Sequence, residues 1–225
     1  MKNDHLNVSR LRADLLDAIT PHVPFDGWSE PAFQEAIRAT GTDPALARLV
    51  CPRGAVDLAA EYHRSADRAL AQALAGADFS GMRFRDKVAS ALKMRFDLVD
   101  RDLVSRGASV FALPQNAAMG AKLVWETADL IWRALGDTSV DYNWYSKRLT
   151  LSGVISATTL FWIGDDSEGH AESWAFLDHR IENVLQFDKV KTQLLKVPGL
   201  KGLLENLRAP APMAAPGHVA GEEVA

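Results

Sequence analysis

Apolar residues recur every three or four positions along most of this 225-residue chain, and this spacing restricts the fold more than any other feature of the sequence. One long run of this kind consists of Phe84, Val88, Leu92, Phe96, Val99 and Leu103. Side chains at such a spacing share one face of an α-helix, whereas a β-strand places every second residue on the same face. No pair of strand-like segments joined by a hairpin turn interrupts the pattern. The sequence therefore predicts an all-α fold.

Capping residues divide the apolar pattern into separate helices. Typical helix starts are Ser29 and the pair Asp43–Pro44, and typical helix ends are Pro21, Gly41 and Pro52. We further expect a helix from about Gly54 to Leu74, one from a Ser80 cap to Gly107, a turn from Ser109 to Pro114, a helix that ends at Gly136, and one from about Asp141 to Ile163. A last helix follows the acidic loop at 164–169.

Composition and charge limit the cellular setting and the class of partner. The net charge of −4 and the pI of about 5.9 disfavour a general nucleic-acid binder. The single cysteine, Cys51, excludes an internal disulfide and indicates a reducing compartment. The most apolar run, Val154 to Gly164, is shorter than the roughly 20 residues of a membrane-spanning helix. The N-terminal residues resemble neither a signal peptide nor a transit peptide, which predicts a cytoplasmic bacterial protein.

Motifs of common enzymes are missing from the sequence. There is no phosphate-binding Gly-rich loop, no Gly-x-Ser-x-Gly motif and no His-Glu-x-x-His motif, and no histidine follows a glutamate by three positions. The carboxylate–histidine neighbours Asp178–His179 and Glu61–Tyr62–His63 are not positioned by their spacing to act together. We therefore expect a non-enzymatic protein that holds neither a metal nor a cofactor.

The N-terminal residues, 1–77, predict a helix-turn-helix module with weak DNA-binding character. The short helix that would read DNA begins with Asp43 and carries one basic residue, Arg48, while Arg10 and Arg12 on the first helix are possible phosphate contacts. An acid at this position repels the DNA backbone. The residues favour a module that has kept the fold without binding DNA, and a transcriptional regulator of the TetR type remains the alternative.

Four aromatic residues surround the junction between two helices in the second half, 78–185. Trp132 lies before the junction, and Tyr142, Trp144 and Tyr145 lie after it. Consecutive helical positions point in different directions, so at least one of the last three is exposed and suited to anchor a partner. Packing inside the chain is an equally good interpretation. The same holds for the small residues Ser152, Gly153 and Ser156, which allow close helix packing either within the chain or between two copies.

The C-terminal segment, 186–208, combines apolar faces with basic flanks. Such a segment is typical of a helix that lies on an anionic membrane surface. The residues expected to contact the membrane are Val190, Leu194, Val197, Leu200, Leu203, Leu204 and Leu207, together with the basic residues Lys191, Lys196 and Lys201. The alternative is a helix packed on the body of the protein. The final residues, 209–225, hold few large apolar groups and are expected to be disordered.

Two segments of the sequence resemble a known family. The run Val140 to Arg148, preceded by Gly136–Asp137, resembles the Asp-Phe-Asn-Trp-Tyr-Thr-Arg-Arg motif of the ubiquinone biosynthesis accessory family, the ninth Coq component. The segment Trp174 to Arg180 is similar to the Trp-x-Phe-Leu-x-x-Arg pattern of that family, and the resemblance extends over roughly residues 28–207.

The resemblance implies a function that the residues alone do not give. It implies a TetR-like fold, a homodimer, and a cavity that holds a polyprenyl quinone intermediate or a phospholipid, although the residues lining it are not identified. It also implies that the protein presents this lipid to the di-iron demethoxyubiquinone hydroxylase, as a peripheral protein at the bacterial inner membrane. The family's partner-binding positions fall on Ile131, Trp132, Asp141, Asn143, Trp144 and Tyr145. The sequence departs from the family at Ala134–Leu135, at Ile131 and at Pro198, which interrupts the terminal helix.

Overall fold

A computed structural model describes residues 2–140 and 142–194, with the side chains of residues 8–140 and 143–183. All regular secondary structure in this part of the chain is helical. The helices are α1 (Lys2–Ile19), α2 (Val23–Asp26), α3 (Glu30–Thr40), α4 (Pro44–Val50), α5 (Ala55–Gly76), α6 (Phe84–Asp97), α7 (Arg101–Phe111), α8 (Pro114–Ala134), α9 (Tyr142–Ile163) and α10 (Ala171–Leu194), with a 3₁₀ turn at Glu168–His170. The prediction of an all-α fold is confirmed.

Side-chain caps fix the helix-turn-helix that the sequence predicted. The Ser29 hydroxyl accepts a hydrogen bond from the Ala32 amide at 3.4 Å, and Gly41 ends α3 with a φ of 62°. This left-handed conformation is readily available to glycine and costly for most other residues. The Asp43 carboxylate accepts from the Leu46 amide at 3.0 Å and caps α4. The helix-turn-helix therefore consists of α3 and α4, joined by a short turn.

The prediction of one long fifth helix is wrong, because two separate helices, α6 and α7, occupy this part of the chain. The Asp100 carboxylate accepts hydrogen bonds from the amides of Asp102 at 2.8 Å and Leu103 at 3.1 Å, so that Asp100 starts a new helix. The apolar spacing continues across this break and conceals it. Ser80 caps no helix: its amide donates to Asp78 at 2.8 Å, and Arg83 occupies the N-cap of α6.

Two clusters of buried apolar side chains form the interior. The first joins α1–α4 to the start of α5 and includes Leu15, Phe33 and Leu58. The second joins the end of α5 to α6, α8, α9 and α10 and includes Leu70 and Leu92. Helix α5 thus contributes to both clusters and connects the N-terminal module to the larger half. In the described part of the chain, no helix is both long enough and apolar enough to cross a membrane.

Candidate functional site

A cavity of ≈ 380 Å³ lies among helices α5 to α9. Its wall is mostly apolar and includes Trp28, Leu92, Phe96, Leu103, Val104, Phe111, Val124 and Ile155. A space of this size and lining is typical of a binding site for a small apolar ligand. Ser156 and Leu160 belong to the wall and are also exposed, which places an opening of the cavity along α9.

Gly120 keeps α7 and α8 close together at the wall of this cavity. A Cβ atom at this position would lie 2.8 Å from Cβ of Phe111, closer than carbon atoms approach without strain. Any larger residue would therefore displace the Phe111 side chain, which itself lines the cavity. The dimensions of the cavity depend on glycine at this position.

One part of the cavity wall is polar. His63, Arg95 and Thr127 line it, and the Asp67 carboxylate lies directly behind them. Arg95 donates from Nε to Asp67 at 2.7 Å and from Nη2 to the His63 carbonyl at 3.1 Å. The Thr127 hydroxyl donates to Asp67 at 2.9 Å, and His63 Nε2 lies 2.8 Å from the same hydroxyl. Four side chains from α5, α6 and α8 thus form one connected network.

His63 is neutral within this network at physiological pH. Burial lowers its pKa from 6.5 to about 4; the Asp67 carboxylate acts in the opposite direction, and Arg95 lowers the pKa further. A neutral imidazole has one N–H. His63 Nε2 and the Thr127 hydroxyl, 2.8 Å apart, share one hydrogen bond whose direction depends on the imidazole tautomer.

Aromatic rings gather on one side of the α8–α9 junction. The Trp144 ring lies 5.8 Å from that of Trp125 and 4.8 Å from that of Tyr145, measured between centroids. The Arg148 guanidinium lies 4.1 Å from the centre of the Trp144 ring. All three rings are half-buried, so each keeps exposed surface. We call Trp125, Trp144 and Tyr145 the aromatic patch.

A buried ionic network holds the junction together beneath this patch. The side chain of Arg148, only 2% exposed, donates to Asp129 at 2.5 Å and to Asp137 at 2.9 Å. Lys147 donates to Asp137 at 2.7 Å. Burial by itself raises the pKa of Asp137, but hydrogen bonds from Lys147, Ser139 and Arg148 outweigh it and lower the pKa to about 2. The end of α8 and the start of α9 are therefore fixed to each other by charge.

The predicted partner-binding residues occupy different environments in the structure. Trp144, Tyr145 and the exposed Asn143 lie together at the start of α9. Trp132 is half-buried on the other side of the junction, where it stacks on Phe84 at 5.2 Å and donates to the Lys147 carbonyl at 3.1 Å. Ile131 is fully buried in the second cluster, so its side chain is not available at the surface of this chain. Asp141 lies outside the described residues.

The side chains predicted to contact the membrane, between Val190 and Leu207, are not among those that the structure describes. The tail at 209–225 also lies outside the described residues. Helix α10 continues to Leu194. That set of residues therefore remains a prediction from the sequence.

The helix that would read DNA presents an apolar surface. Arg48 is occupied within the chain, because it forms an ion pair with Glu30 and its guanidinium lies 4.9 Å from the centre of the Phe33 ring. The exposed side chains of α4 include Leu46 and Leu49, the latter 74% exposed. This surface lacks the basic side chains that contact phosphates in DNA complexes.

A second exposed apolar strip runs along α9. Leu149, Gly153, Ser156 and Leu160 share one face, and the two leucines are 67% and 69% exposed. A side chain at Gly153 would meet nothing within 4 Å in this chain. Beside the strip, Phe161 stacks on Phe176 of α10 with centroids 4.6 Å apart. We call the four α9 residues the α9 strip.

The polar end of the cavity was not predicted from the sequence. His63 and Asp67 are four residues apart on α5 and next to the apolar stripe of that helix, a pattern that would have identified the pair. Arg95 and Thr127 carry no comparable signal, because each sits in an ordinary helical context. Among the described residues, no three His, Cys, Asp or Glu side chains lie close enough to hold a metal ion.

Comparison with known proteins supports the resemblance found in the sequence. Residues 117–188 match the COQ9 family model. Over 83% of its length the chain is 28% identical to the ubiquinone biosynthesis protein COQ9, mitochondrial, of Drosophila melanogaster. Over 84% of its length it is 26% identical to the probable ubiquinone biosynthesis protein coq9, mitochondrial, of Dictyostelium discoideum. Over 92% of its length it is 24% identical to the human ubiquinone biosynthesis protein COQ9, mitochondrial.

These relatives are longer than the region they share with this chain. The matched regions cover 59% of the Drosophila protein, 64% of the Dictyostelium protein and 69% of the human protein. The family model covers most of α8, all of α9 and most of α10, and thus includes the aromatic patch and the wall of the cavity at Ile155 and Thr127. The resemblance to the COQ9 family is confirmed.

A solved structure has the same arrangement of helices. The crystal structure of a TetR transcriptional regulator from Nitrosomonas europaea superimposes with a TM-score of 0.62 over 77% of this chain and 97% of its own, at 15% sequence identity. The predicted TetR-like fold is confirmed. The superposition establishes the fold. At an identity this low it carries no information about DNA binding.

Proposed function

We propose that this chain, as a relative of the COQ9 proteins, is a non-enzymatic accessory protein of ubiquinone biosynthesis. It holds a polyprenyl quinone intermediate in its cavity and presents it to the di-iron demethoxyubiquinone hydroxylase at the bacterial inner membrane. The observation that carries the proposal is the apolar cavity, whose wall on α8 and α9 belongs to the region matched by the family model, as does the aromatic patch.

The cavity suits one end of a long isoprenoid molecule. Its ≈ 380 Å³ accommodates a ring and a short part of a tail, but not a whole polyprenyl chain. The opening beside Ser156 and Leu160 leaves a path for the rest of the tail along α9. Burying apolar surface contributes roughly 25 cal/mol per Å², so an apolar wall binds such a molecule without any catalytic group.

The aromatic patch suits a docking surface for the hydroxylase. Trp and Tyr are enriched among the residues that contribute most to protein interfaces. The Arg148 network beneath the patch fixes the Trp144 and Tyr145 backbone before a partner arrives, which reduces the entropy lost on binding. Bound substrate and docked enzyme would then be held close together, which raises their effective concentration.

Two further surfaces complete the proposal. The C-terminal segment, 186–208, binds the membrane through its apolar faces and lysines. The α9 strip packs against the same strip of a second copy at Gly153, where the lack of a side chain allows two helices to approach closely, and the opening at Ser156 and Leu160 lies beside this contact. The proposed assembly is a homodimer bound at the membrane surface.

The first test of the lipid-holding role is extraction of the protein purified from its native host, followed by mass spectrometry of the organic phase. Polyprenyl quinones or their precursors at close to one per chain would support the proposal. Protein that carries no lipid, or a phospholipid mixture matching the membrane, would contradict specific quinone binding.

The second test addresses docking. Because the Trp144 ring covers the Arg148 guanidinium, we choose Trp144→Leu, which keeps an apolar cover and adds no charge. We expect the affinity for the hydroxylase to fall by about tenfold or more. The control is Leu49→Ala, an exposed apolar residue of α4 in the N-terminal module. Equal affinity of the two variants would contradict docking at the patch.

A lipid-responsive TetR-type regulator is the alternative, suggested by the helix-turn-helix of α3 and α4. Measuring binding to genomic DNA fragments at several salt concentrations distinguishes the two functions, since operator binding weakens steeply with salt. We expect no binding above that of a neutral control protein, because Arg48 is paired with Glu30.

A further inference from the structure

The cavity is not uniformly apolar, and its polar end has a defined charge. Arg95 and Asp67 carry opposite charges and are joined at 2.7 Å. His63 is neutral, and the nearby Glu126 carboxylate is paired with Arg64 at 3.0 Å and with the exposed Lys122 at 3.8 Å. The Arg95 cation in the cavity wall is therefore neutralised by Asp67.

An ion pair that is already complete does not attract a further charge. A carboxylate or phosphate head placed here would lose its hydration without gaining an unpaired cation, and the transfer of an unpaired charge into an apolar environment is very unfavourable. A neutral oxygen loses much less hydration. The polar side chains offer it hydrogen-bonding groups in the midst of an apolar wall.

We infer that the polar end formed by His63, Arg95 and Thr127 binds the neutral hydroxyl or carbonyl oxygen of an apolar ligand and disfavours ligands with anionic heads. This inference rests on the proposed role of the cavity as the ligand site, and it adds the orientation of the ligand. The oxygen-bearing ring lies at the polar end, and the hydrocarbon chain extends along the apolar wall toward the opening at Ser156 and Leu160.

Burial supports a binding role for the groups nearest the cavity. The His63 side chain keeps 24% of its surface exposed and that of Arg95 keeps 10%, although both line an enclosed wall. Thr127 is 1% exposed and lies behind them, within hydrogen-bonding distance of both His63 and Asp67. His63 and Arg95 are therefore the contact residues, and Thr127 is a positioning residue.

Three probes with the same hydrocarbon chain test the inference: 4-nonylphenol, nonylbenzene and 4-nonylbenzoate. Their affinities for the full-length protein are measured by equilibrium dialysis. We expect the phenol to bind at least tenfold more tightly than the benzoate. We also expect His63→Leu to lower the ratio of phenol to nonylbenzene affinity by about tenfold, as loss of a hydrogen bond at a buried site predicts.

Two further variants separate recognition of the head from general damage. Thr127→Val preserves side-chain shape and should lower the same ratio by a smaller factor, and Thr127→Ser should restore it. Val104→Ala, on the apolar wall, should weaken the phenol and nonylbenzene equally.

The outcomes distinguish this inference from the function on which it rests. Suppose that the probes bind but the ratio of phenol to nonylbenzene affinity is unchanged in both His63→Leu and Thr127→Val, or that the benzoate binds as tightly as the phenol. Either result overturns recognition of the head and leaves lipid binding in the cavity intact. If no probe binds, the cavity is not a ligand site and both are overturned.

Discussion

At the scale of single residues, burial of His63 makes the stability of the fold depend on pH. Its pKa is lowered to about 4 in the folded chain, mainly by loss of hydration, from an ordinary value of 6.5. Between these values the unfolded chain binds a proton that the folded chain does not. Stability is therefore lost as the pH falls from 6.5 toward 4, by up to about 3 kcal/mol at 1.36 kcal/mol per pH unit.

The measurement is the free energy of unfolding in denaturant at pH 7 and at pH 5. The matched variant is His63→Gln, which has no ionisable group at this position. We expect the wild-type chain to lose more stability than the variant between the two pH values. An equal loss would show that His63 is protonated as readily in the folded chain as in the unfolded one. The lowered pKa of Asp137, about 2 against an ordinary 3.8, gives stability that is lost only as the pH falls below about 4, so it hardly changes between pH 7 and pH 5.

The buried polar residues also mark the limit of what the sequence predicted. The aromatic residues around the α8–α9 junction were identified as a group because aromatic side chains are conspicuous in a sequence. Arg148 and Asp137 were noticed only as parts of a motif, and their pairing depends on the angle between two helices. Single-sequence spacing contains no information about that angle, nor about the approach of Arg95 to Asp67 across 28 positions.

At the scale of helices, the ionic network at the α8–α9 junction is expected to contribute strongly to stability. Arg148→Met would leave Asp129 and Asp137 without their buried partner, and breaking a buried ion pair typically costs about 3–5 kcal/mol. The control is Arg133→Met, since Arg133 also pairs with Asp129 but is 72% exposed, and exposed pairs contribute about 1 kcal/mol or less.

Chemical denaturation of the two variants provides the comparison. A loss of stability in Arg148→Met no larger than that in Arg133→Met would contradict a structural role for the network. The double variant Arg148→Met with Asp137→Asn should recover part of the loss, because it removes a buried carboxylate that has lost one of its two cationic partners and keeps only Lys147.

Helix boundaries were predictable where a cap lies at the end of an apolar stripe. Ser29, Gly41 and Asp43 mark the ends of α3 and the start of α4 in both the sequence and the structure. Asp100 is also a cap, but the apolar positions Phe96, Val99 and Leu103 keep helical spacing through it. Hydrophobic spacing describes which side chains face the core, and a chain that turns while keeping the same face inward leaves that spacing intact.

At the scale of the whole molecule, the α9 strip is expected to form the contact between two copies. Gly153→Lys tests this, because a side chain at Gly153 meets nothing within 4 Å in its own chain but would separate two closely packed helices. We expect the variant to be a folded monomer when its mass is measured by light scattering after size-exclusion chromatography. Gly76→Lys is the matched control, since Gly76 is also helical with open space around it.

Both substitutions replace glycine by a better helix former, so neither should destabilise the single chain. If Gly153→Lys is as dimeric as Gly76→Lys, the strip is not the contact surface. If the wild-type chain is itself a monomer at all concentrations, the proposal of a homodimer fails.

Helix α5 belongs to both apolar clusters, with Leu58 in one and Leu70 in the other. It also supplies His63 and Tyr62 to the cavity wall between those positions. Because α5 packs in both clusters, a displacement of the helix in one cluster also affects the other. In this chain α5 joins the N-terminal module to the cavity wall, so that packing around Leu58 and the dimensions of the cavity depend on the same helix.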